Sequence, residues 1–265
     1  MIALDLRGKR ALVTGATRGL GFAMATRLAQ AGAVVGVNGR SPASVATAVN
    51  DLLVVVPDGR FVGIVADLTS EEGAASAVDQ FSDVDILVNN IGIYHSGEVL
   101  ETESSVWTEH FDVNVLTGVR ITRRVIPGML ARKWGRVLFI ASDAAVAIPT
   151  DLVHYAASKT ALLAVARGFA KAAAGTGVTV NSVIVGPSET DGLKDFVAEV
   201  VGTDLPWPEA QAEFMRVHRP LSIIQRLIRP EEVANMVLYL SSELSSGTTG
   251  GALRVDGGYV DSILP

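Results

Sequence analysis

The feature that most constrains the fold is a strand-like run, a glycine-rich turn and a helix-forming segment that follow one another near the start of the chain. The run is residues 10–13, the turn is residues 14–21 and the helical segment is residues 22–31. Together they predict a phosphate-binding unit, because glycine lets the backbone turn sharply and approach a pyrophosphate at the helix N-terminus. A tight turn without a ligand also needs glycine, so the functional interpretation rests on the position of the unit at the first predicted strand.

Alternating strands and helices continue along the chain. Further strands are predicted at residues 33–37, 61–66, 85–88, 136–140, 178–185 and within 252–258, with helices at 43–53, from 70, at 104–125, 153–171 and 230–241. This alternation predicts an α/β fold, a three-layer doubly wound parallel sheet of the Rossmann type. A length of 265 residues without an internal repeat or linker predicts one NAD(P)-binding domain over residues 1–265.

Residues 188–229 interrupt the alternation after the sixth predicted strand. Two short helices are predicted there, near residues 193–201 and 209–218. The apolar side chains of this segment are Phe196, Trp207, Phe214 and Met215. A long insertion at the ligand-binding edge of a sheet predicts a substrate lid. An oligomer contact or an additional piece of core would use the same apolar side chains, and both alternatives stay open.

Composition excludes several classes of function. The formal net charge of −6 gives no basic footprint for nucleic acid and no polybasic membrane surface. The absence of cysteine excludes disulfides, thiolate catalysis and cysteine-ligated zinc, and the four histidines lack metal-ligand spacing, so no metal site is expected. No uncharged run approaches the ~20 apolar residues of a membrane span, and the first residues lack a signal-peptide core, which predicts a cytoplasmic protein.

A serine, a tyrosine and a lysine carry the predicted chemistry. Tyr155 and Lys159 are four residues apart in a predicted helix, so both side chains project from one face, about 5–6 Å apart at Cβ. A free tyrosine ionises near pH ~10, and a neighbouring positive charge favours its phenolate. Ser142 offers a hydroxyl at the carboxyl end of the fifth strand, the edge at which ligands of such sheets bind. Taken singly, Tyr155 also fits a half-buried helix aromatic, and Ser142 a strand-end cap.

The residues after the second strand predict which nicotinamide cofactor is used. An acidic residue about 20 positions beyond the glycines binds the free ribose 2′-hydroxyl of NAD. Here that position is Gly39, followed by Arg40, and Arg18 adds a positive charge from the glycine turn. A guanidinium grips a 2′-phosphate with two hydrogen bonds, whereas a carboxylate repels it. The pattern favours NADP(H), and the alternative is that Arg40 is simply solvated.

With these pieces in order, the chain resembles the short-chain dehydrogenase/reductase family, in its branch of single-domain enzymes, essentially from end to end. Five motifs fall in family order: Thr14-Gly15-X-X-X-Gly19-X-Gly21, Asn89-Asn90-X-Gly92, Asn114, Ser142 thirteen residues before Tyr155, and Tyr155-X-X-X-Lys159. The resemblance implies hydride transfer between a nicotinamide and a carbonyl or alcohol. Within the family the chain is similar to 3-oxoacyl carrier-protein reductases.

The resemblance also implies roles for four catalytic residues. Tyr155 would protonate the carbonyl oxygen as hydride arrives. Lys159 would bind the nicotinamide ribose and, with the cofactor's charge, lower the pKa of the tyrosine. Ser142 would hold the substrate oxygen, and Asn114 would hold a water that links Lys159 to solvent. These roles agree with a positioned acid and with hydrogen bonds aimed at the oxygen where charge develops.

The cofactor contacts implied by the resemblance extend over much of the sheet edge. Asp67 and Leu68 would flank the adenine, Asn90 the adenine-side ribose region, and Ser188 and Thr190 the nicotinamide end. The full set is Gly15, Thr17, Arg18, Gly19, Leu20, Gly21, Arg40, Asp67, Leu68, Asn90, Gly92, Tyr155, Lys159, Ser188 and Thr190. The chain departs from the family pattern at Ile91 and at Val185-Gly186-Pro187, so local backbone differences are expected beside the nicotinamide.

The sequence therefore predicts an NADPH-dependent oxidoreductase that reduces the ketone of a small molecule to an alcohol, and no motif fixes the substrate. The alternatives are a 3-oxoacyl carrier-protein reductase and a non-catalytic nucleotide-sensing protein of the same fold. An acidic carrier protein would need a basic docking patch, for which the candidates are Arg216, His218, Arg219, Arg226 and Arg229. Asp143 is interpreted as a solvated carboxylate or as a determinant of substrate choice. Because family members are often tetramers, the resemblance implies a homotetramer.

Overall fold

The computed structural model describes residues 4–202 and 205–263 of the chain. The strands are β1 (Arg10–Val13), β2 (Val34–Gly39), β3 (Arg60–Val65), β4 (Ile86–Asn89), β5 (Gly135–Ser142), β6 (Val178–Val185) and β7 (Ala252–Val255). Within the described residues these seven strands form one sheet in the order β3-β2-β1-β4-β5-β6-β7, with every neighbouring pair parallel. The predicted doubly wound parallel sheet is confirmed.

Helices connect the strands. They are α1 (Gly19–Gln30), α2 (Pro42–Val55), α3 (Glu71–Gln80), α4 (Ser104–Phe111), α5 (Thr117–Arg132), α6 (Val153–Ala172), α7 (Asp191–Val201), α8 (Trp207–His218) and α9 (Pro230–Ser241). The side chains of Ser41, Ser70 and Thr190 cap α2, α3 and α7, which satisfies amides that the first helical turn leaves unpaired. Of the helices that the structure describes, none combines the length and apolar character needed to cross a membrane.

Two layers of helices bury the two faces of the sheet. On one face α1 packs against α9, with Leu28 and Val237 buried in the same apolar cluster. On the other face α3, α5 and α6 contribute buried side chains such as Met129 and Leu162. Each fully buried leucine contributes roughly 1.5–3 kcal/mol relative to an exposed one. The layers leave the carboxyl ends of the strands accessible at one edge, where the candidate site lies.

The predicted helix over residues 104–125 is wrong in its regularity and its length. The chain passes from α4 into a π-helical turn at Asp112–Leu116, and α5 then continues to Arg132. The helix extends past Pro127 while Ile126 and Met129 stay buried, and it ends where Lys133 takes a left-handed conformation with φ 56°. A π-helical turn accommodates one extra residue without changing local composition, so apolar periodicity did not indicate it.

The segment after β6 contains the two predicted helices, α7 and α8, which pack against each other. Val197, Phe214 and Met215 are buried in an apolar cluster apart from the two main ones. Ser188 and Ile228 pair at the base of the segment. Positions 203 and 204 of the predicted 188–229 lid lie outside the described residues. The apolar side chains that the sequence singled out therefore form a local core within the insertion.

Candidate active site

The turn between β1 and α1 has a conformation that only glycine adopts easily. Gly15 and Gly19 have φ of +60° and +55°. A Cβ on Gly21 would meet the carbonyl oxygen of Gly15, so the helix can pack this closely on the turn only with glycine there. No side chain caps the N-terminus of α1 and its first turn contains no acid, in a part of the chain that is fully described. The turn therefore leaves a helix N-terminus available to a pyrophosphate, as the cofactor requires.

Two asparagines fix the position of this turn. The side-chain Nδ2 of Asn90 donates to the carbonyl oxygens of Thr14 and Gly15 at 3.0 and 3.1 Å. The backbone N–H of Asn90 donates to Thr14 Oγ1 at 2.9 Å. Asn38 Oδ1 accepts from the Gly15 amide at 3.3 Å, while its Nδ2 donates to two carbonyls at the end of β3. Sequence reasoning assigned Asn90 to the cofactor and missed Asn38, whose side chain is buried at the end of β2.

The end of β2 has no room for the acidic residue that would bind a ribose 2′-hydroxyl. A Cβ at Gly39 would lie 2.6 Å from Thr17 Cγ2 and 2.9 Å from Val45 Cγ2. Arg40 and Arg18 are both exposed at the same edge of the sheet. The residues present therefore fit a phosphate better than a free hydroxyl at this position.

The remaining predicted cofactor contacts differ in how accessible they are. Asp67 is exposed, and its Oδ1 accepts hydrogen bonds from the backbone N–H and the hydroxyl of Thr69. Leu68, by contrast, is 1% exposed and packs in the core. Because the Leu68 side chain is buried in the core, the predicted contact of Leu68 with the adenine would have to use its backbone, and that contact stays a prediction. Ser188 and Thr190 both line the active-site cavity, so the altered turn before them leaves both at the predicted edge.

Ser142, Tyr155 and Lys159 line one cavity of about 220 Å³ at the carboxyl edge of the sheet. Lys159 Nζ lies 5.8 Å from the centre of the Tyr155 ring and donates to the Ile140 carbonyl oxygen at 3.0 Å. Besides Tyr155 and Lys159, five further predicted cofactor residues line the same cavity, namely Leu20, Asn90, Gly92, Ser188 and Thr190. The serine, tyrosine and lysine singled out from the sequence are thus brought together beside the glycine turn.

Burial acts in opposite directions on the two titratable groups. It raises the pKa of Tyr155 to about 12, which outweighs the lowering by hydrogen bonding with Ser142. It lowers the pKa of Lys159 to about 8. The resemblance implied that Lys159 and the cofactor's charge together lower the pKa of the tyrosine. The chain's own groups produce the opposite shift, because the desolvation of Tyr155 outweighs the nearby groups that lower its pKa. Tyr155 is consequently protonated near neutral pH, the state that a proton donor needs.

Asn114 lies in the π-helical turn and is 2% exposed. Its Oδ1 accepts from the Ile93 amide at 2.7 Å, and its Nδ2 donates to the Ile93 carbonyl oxygen and to Ser158 Oγ. A Cβ on Gly92 would lie 3.0 Å from Lys159 Nζ and 3.4 Å from Asn114 Oδ1, so these three residues meet at one point. Asn114 therefore ties the loop after β4 to α6 directly behind Lys159.

Asp143 is not a solvated carboxylate, which corrects one of its two sequence interpretations. It is 5% exposed, lines the cavity, and its Oδ1 accepts from Ser142 Oγ at 3.0 Å and from the Ala144 amide at 2.8 Å. Burial raises the pKa of Asp143, and the facing Arg219 acts to lower it. The local sequence gave no sign of the influence of Arg219, which comes from the distant insertion.

The candidate docking patch for an acidic carrier is largely neutralised by acidic neighbours. Arg216 pairs with Glu213, and Arg226 and Arg229 share Glu232. His218 stacks on Phe214 with ring centres 5.3 Å apart. Arg219 lines the active-site cavity. The three arginines Arg216, Arg226 and Arg229 thus belong to ion pairs, His218 to a ring stack and Arg219 to the cavity lining.

Three histidines, from the loop after β4, from α4 and from α6, pack against one another. His110 is buried between His95 and His154, with ring centres 5.4 and 4.5 Å away. Ligand atoms of His95, Glu109 and His110 lie within 4.8 Å of one another, a proximity that sequence spacing did not indicate because His95 is on a loop. His154 is 1% exposed and its Nε2 lies 2.9 Å from the His95 carbonyl oxygen, so this side chain packs against the loop after β4.

Comparisons with known proteins cover nearly the whole chain. The family model described as enoyl-(acyl carrier protein) reductase matches residues 15–260. The chain is 44% identical to the uncharacterized oxidoreductase YvaG of Bacillus subtilis (strain 168), over 98% of this chain and 99% of that protein. It is 33% identical to the 3-oxoacyl-[acyl-carrier-protein] reductase FabG of Aquifex aeolicus (strain VF5), over 96% and 98%. The crystal structure of L-sorbose reductase from Gluconobacter frateurii, complexed with NADPH and L-sorbose, matches with a TM-score of 0.91 at 27% identity, over 99% of this chain and 100% of that chain.

Proposed function

Because the chain belongs to the short-chain dehydrogenase/reductase family of oxidoreductases, we propose that it reduces a ketone to an alcohol with NADPH. Members of the family bind a nicotinamide cofactor, and the glycine turn fits its pyrophosphate. The observation that carries the proposal is the convergence of Ser142, Tyr155 and Lys159 on one cavity that predicted cofactor residues also line.

The chain's own residues supply the proton and hold the reacting groups. Bound here, the cofactor would supply a hydride to the carbonyl carbon. Tyr155 gives its proton to the carbonyl oxygen, and Ser142 turns its hydroxyl from Asp143 toward that oxygen to stabilise the charge that develops on it. Lys159 uses one N–H for the Ile140 carbonyl, which leaves two for the ribose hydroxyls of the cofactor.

The choice of NADPH rests on the space around Gly39 and on two arginines at the edge of the sheet. Thr17 and Val45 fill the space that an acidic side chain at Gly39 would need. Arg40 and Arg18 are exposed beside it and offer guanidinium groups to a 2′-phosphate. The structural similarity to L-sorbose reductase, solved with NADPH, supports this assignment.

A second candidate is a 3-oxoacyl carrier-protein reductase, which the 33% identity to FabG of Aquifex aeolicus favours. An acidic carrier would dock through unpaired basic side chains, but Arg216, Arg226 and Arg229 are paired with glutamates. This pairing favours a free small molecule as substrate. A nucleotide-sensing protein would not require a tyrosine and a lysine at the cavity, so we rank it last.

We further propose that residues 188–229 act as a substrate lid within a single domain of residues 1–265. Tyr94 Oη donates to the Gly192 carbonyl oxygen at 3.2 Å, which links the loop after β4 to the first turn of α7 across the cavity mouth.

We propose a cytoplasmic homotetramer, and the exposed Phe111 and Leu116 on and beside α4 support an interface between copies.

The test is an absorbance assay of NADPH and NADH oxidation by the purified protein. Substrates are simple ketones, ketoses and a β-ketoacyl thioester, each with both cofactors. We expect turnover of a small ketone with NADPH and weaker turnover with NADH. Binding of NADPH without turnover of any carbonyl compound would refute the reductase, and sole turnover of the thioester would favour the second candidate.

A further inference from the structure

Two charged side chains of the active-site cavity have no part in the proposed hydride transfer. Asp143 follows Ser142 at the end of β5, Arg219 follows α8, and both line the cavity. They influence each other, since Arg219 opposes the effect of burial on the Asp143 carboxyl. Arg219 donates through Nη1 to the His218 carbonyl oxygen at 2.8 Å, and no direct ion pair joins it to Asp143 among the described residues.

Each of the two side chains has an unused polar atom. Asp143 Oδ1 is occupied by Ser142 Oγ and the Ala144 amide, but Oδ2 is buried with no hydrogen-bond partner in the described structure. Arg219 Nε is likewise buried and unpartnered there. Buried polar atoms without partners are costly and rare, so an unpaired acceptor and an unpaired donor on two residues that line the same cavity point to a ligand that satisfies both.

Both side chains are held in place before any ligand binds. The Arg219 guanidinium carbon lies 5.7 Å from the centre of the Phe214 ring and 5.2 Å from that of Tyr259. Asp143 is fixed by its two hydrogen bonds at the start of the turn after β5. A prepositioned acceptor and donor favour a ligand of matching shape, because little side-chain ordering is required on binding.

We propose that Asp143 and Arg219 bind a hydroxyl group that the substrate carries next to its carbonyl, so that the substrate is a hydroxyketone such as a ketose. The hydroxyl donates to Asp143 Oδ2 and accepts from Arg219, while the neighbouring carbonyl oxygen lies at Ser142 and Tyr155. The sequence order agrees with this placement, since Asp143 directly follows Ser142. The inference rests on the proposed ketone reduction and names the substrate class for it.

Other substrate chemistries suit this pair less well. A simple ketone or the acyl chain of a thioester has no hydrogen-bond donor for the carboxylate. A substrate carboxylate would attract Arg219 but would be repelled by Asp143. A hydroxyl is at once a donor and an acceptor, and it is neutral, so it satisfies both side chains without adding charge to the cavity.

The experiment compares matched substrates with NADPH. The pairs are hydroxyacetone and butanone, erythrulose and its 1,3-dideoxy counterpart, and L-sorbose and its 1,3-dideoxy counterpart, with acetoacetyl thioester as a further substrate. In each pair only the first member carries a hydroxyl on a carbon next to the carbonyl, and wild-type protein should prefer that member of at least one pair by about 100-fold or more in kcat/KM, because the analogue leaves buried polar groups unpaired.

Two variants connect this preference to the proposed subsite. Asp143→Ala and Arg219→Met should each reduce the preference at least ~10-fold, mainly through KM. Methionine retains an apolar stem between the two aromatic rings, and Asp143→Asn replaces the alanine variant if that variant fails to fold. Arg216→Met is the matched control, because Arg216 is exposed on α8 and pairs with Glu213. The control should keep the wild-type preference.

The outcomes separate the inference from the proposed function. Equal reduction of both members of every pair, or a preference unchanged in both variants, overturns the hydroxyketone assignment and leaves the reductase in place. If folded wild-type protein binds NADPH and reduces none of the compounds, the proposed function fails and the inference fails with it.

Discussion

Tyr155 and Lys159 share one face of α6, yet their surroundings move their pKa values in opposite directions. The spacing of the two residues was enough to predict that they face the same site. The direction of the shifts was not predictable, because it depends on burial and on groups such as Asp143 that the fold brings from β5. The local sequence therefore indicates which side chains meet but not how protonated they are.

Burial of Lys159 has a consequence for stability. Its pKa falls from an ordinary 10.5 to about 8 in the folded protein. Below about pH 8 both folded and unfolded states carry the proton, and the folded state bears the full desolvation cost. Between about pH 8 and the unfolded value the unfolded state binds more protons, so stability rises with pH.

We expect the free energy of unfolding of the wild type to rise by about 2 kcal/mol relative to Lys159→Met between about pH 7 and about pH 9.5. The methionine variant lacks this titration but keeps a side chain of similar length. Urea unfolding of both proteins at both pH values measures the difference. A difference between the two proteins that does not change with pH would show that Lys159 is not desolvated.

The proposed preference for NADPH gives a second prediction at the residue scale, on Arg40. Arg40→Asp should weaken NADPH binding by roughly 10- to 100-fold, because a charge-assisted contact to the 2′-phosphate is lost and a repulsive carboxylate replaces it. NADH affinity should change by less than about 3-fold. Arg27→Asp, at the far end of α1, is the matched control. Fluorescence titration with both cofactors measures the affinities, and an unchanged preference would contradict the assignment.

At the scale of elements, the sequence was most informative where a turn requires glycine and least informative where helices deviate from regular geometry. The β1–turn–α1 unit was predicted because Gly15 and Gly19 mark conformations that other residues rarely adopt. The π-helical turn at Asp112–Leu116 was not, since Asn114 within it contacts the loop after β4 and α6, which are distant in the sequence. Local patterns do not encode such contacts.

Two glycine substitutions test the role of the glycine turn. Gly21→Ala should weaken NADPH binding at least ~10-fold, because the new Cβ would meet the Gly15 carbonyl and displace the turn from the pyrophosphate. Gly168→Ala is the control, since a Cβ there has no neighbour within 4 Å. The control should stabilise α6 by about 0.5–1 kcal/mol without affecting NADPH binding. Wild-type affinity in the Gly21→Ala protein would exclude this account of the turn.

At the scale of the whole molecule, the alternation of strands and helices was sufficient to predict a single parallel sheet. The contribution of the insertion to the site was not predictable, because Arg219, which lines the same cavity as Asp143, lies far from it in the sequence. The arginine patch is a different case, because its glutamate partners Glu213 and Glu232 lie only three to six residues away in the sequence, a local spacing that favours ion pairs. Only the contribution of Arg219 to the cavity depends on a contact between distant segments.

The proposed homotetramer gives a prediction at this scale. Light scattering should give about four times the 27.8 kDa chain mass. Phe111→Glu together with Leu116→Glu should produce a smaller species, because both side chains are exposed apolar surface beside a cavity of about 390 Å³ on the outside of α4. Leu100→Glu, at a side chain that is 96% exposed, should leave the mass unchanged. A monomer in the wild type would contradict the proposal.

The central claim, that Tyr155 donates the proton in an NADPH-dependent reduction, is tested most directly by Tyr155→Phe. Turnover and NADPH affinity are measured on the same preparation, with Tyr239→Phe on the exposed side of α9 as control. We predict that turnover falls by about 100-fold or more in Tyr155→Phe while NADPH affinity changes by less than about 3-fold, and that the control retains both. Turnover at the wild-type level in Tyr155→Phe would contradict the assignment of the proton donor.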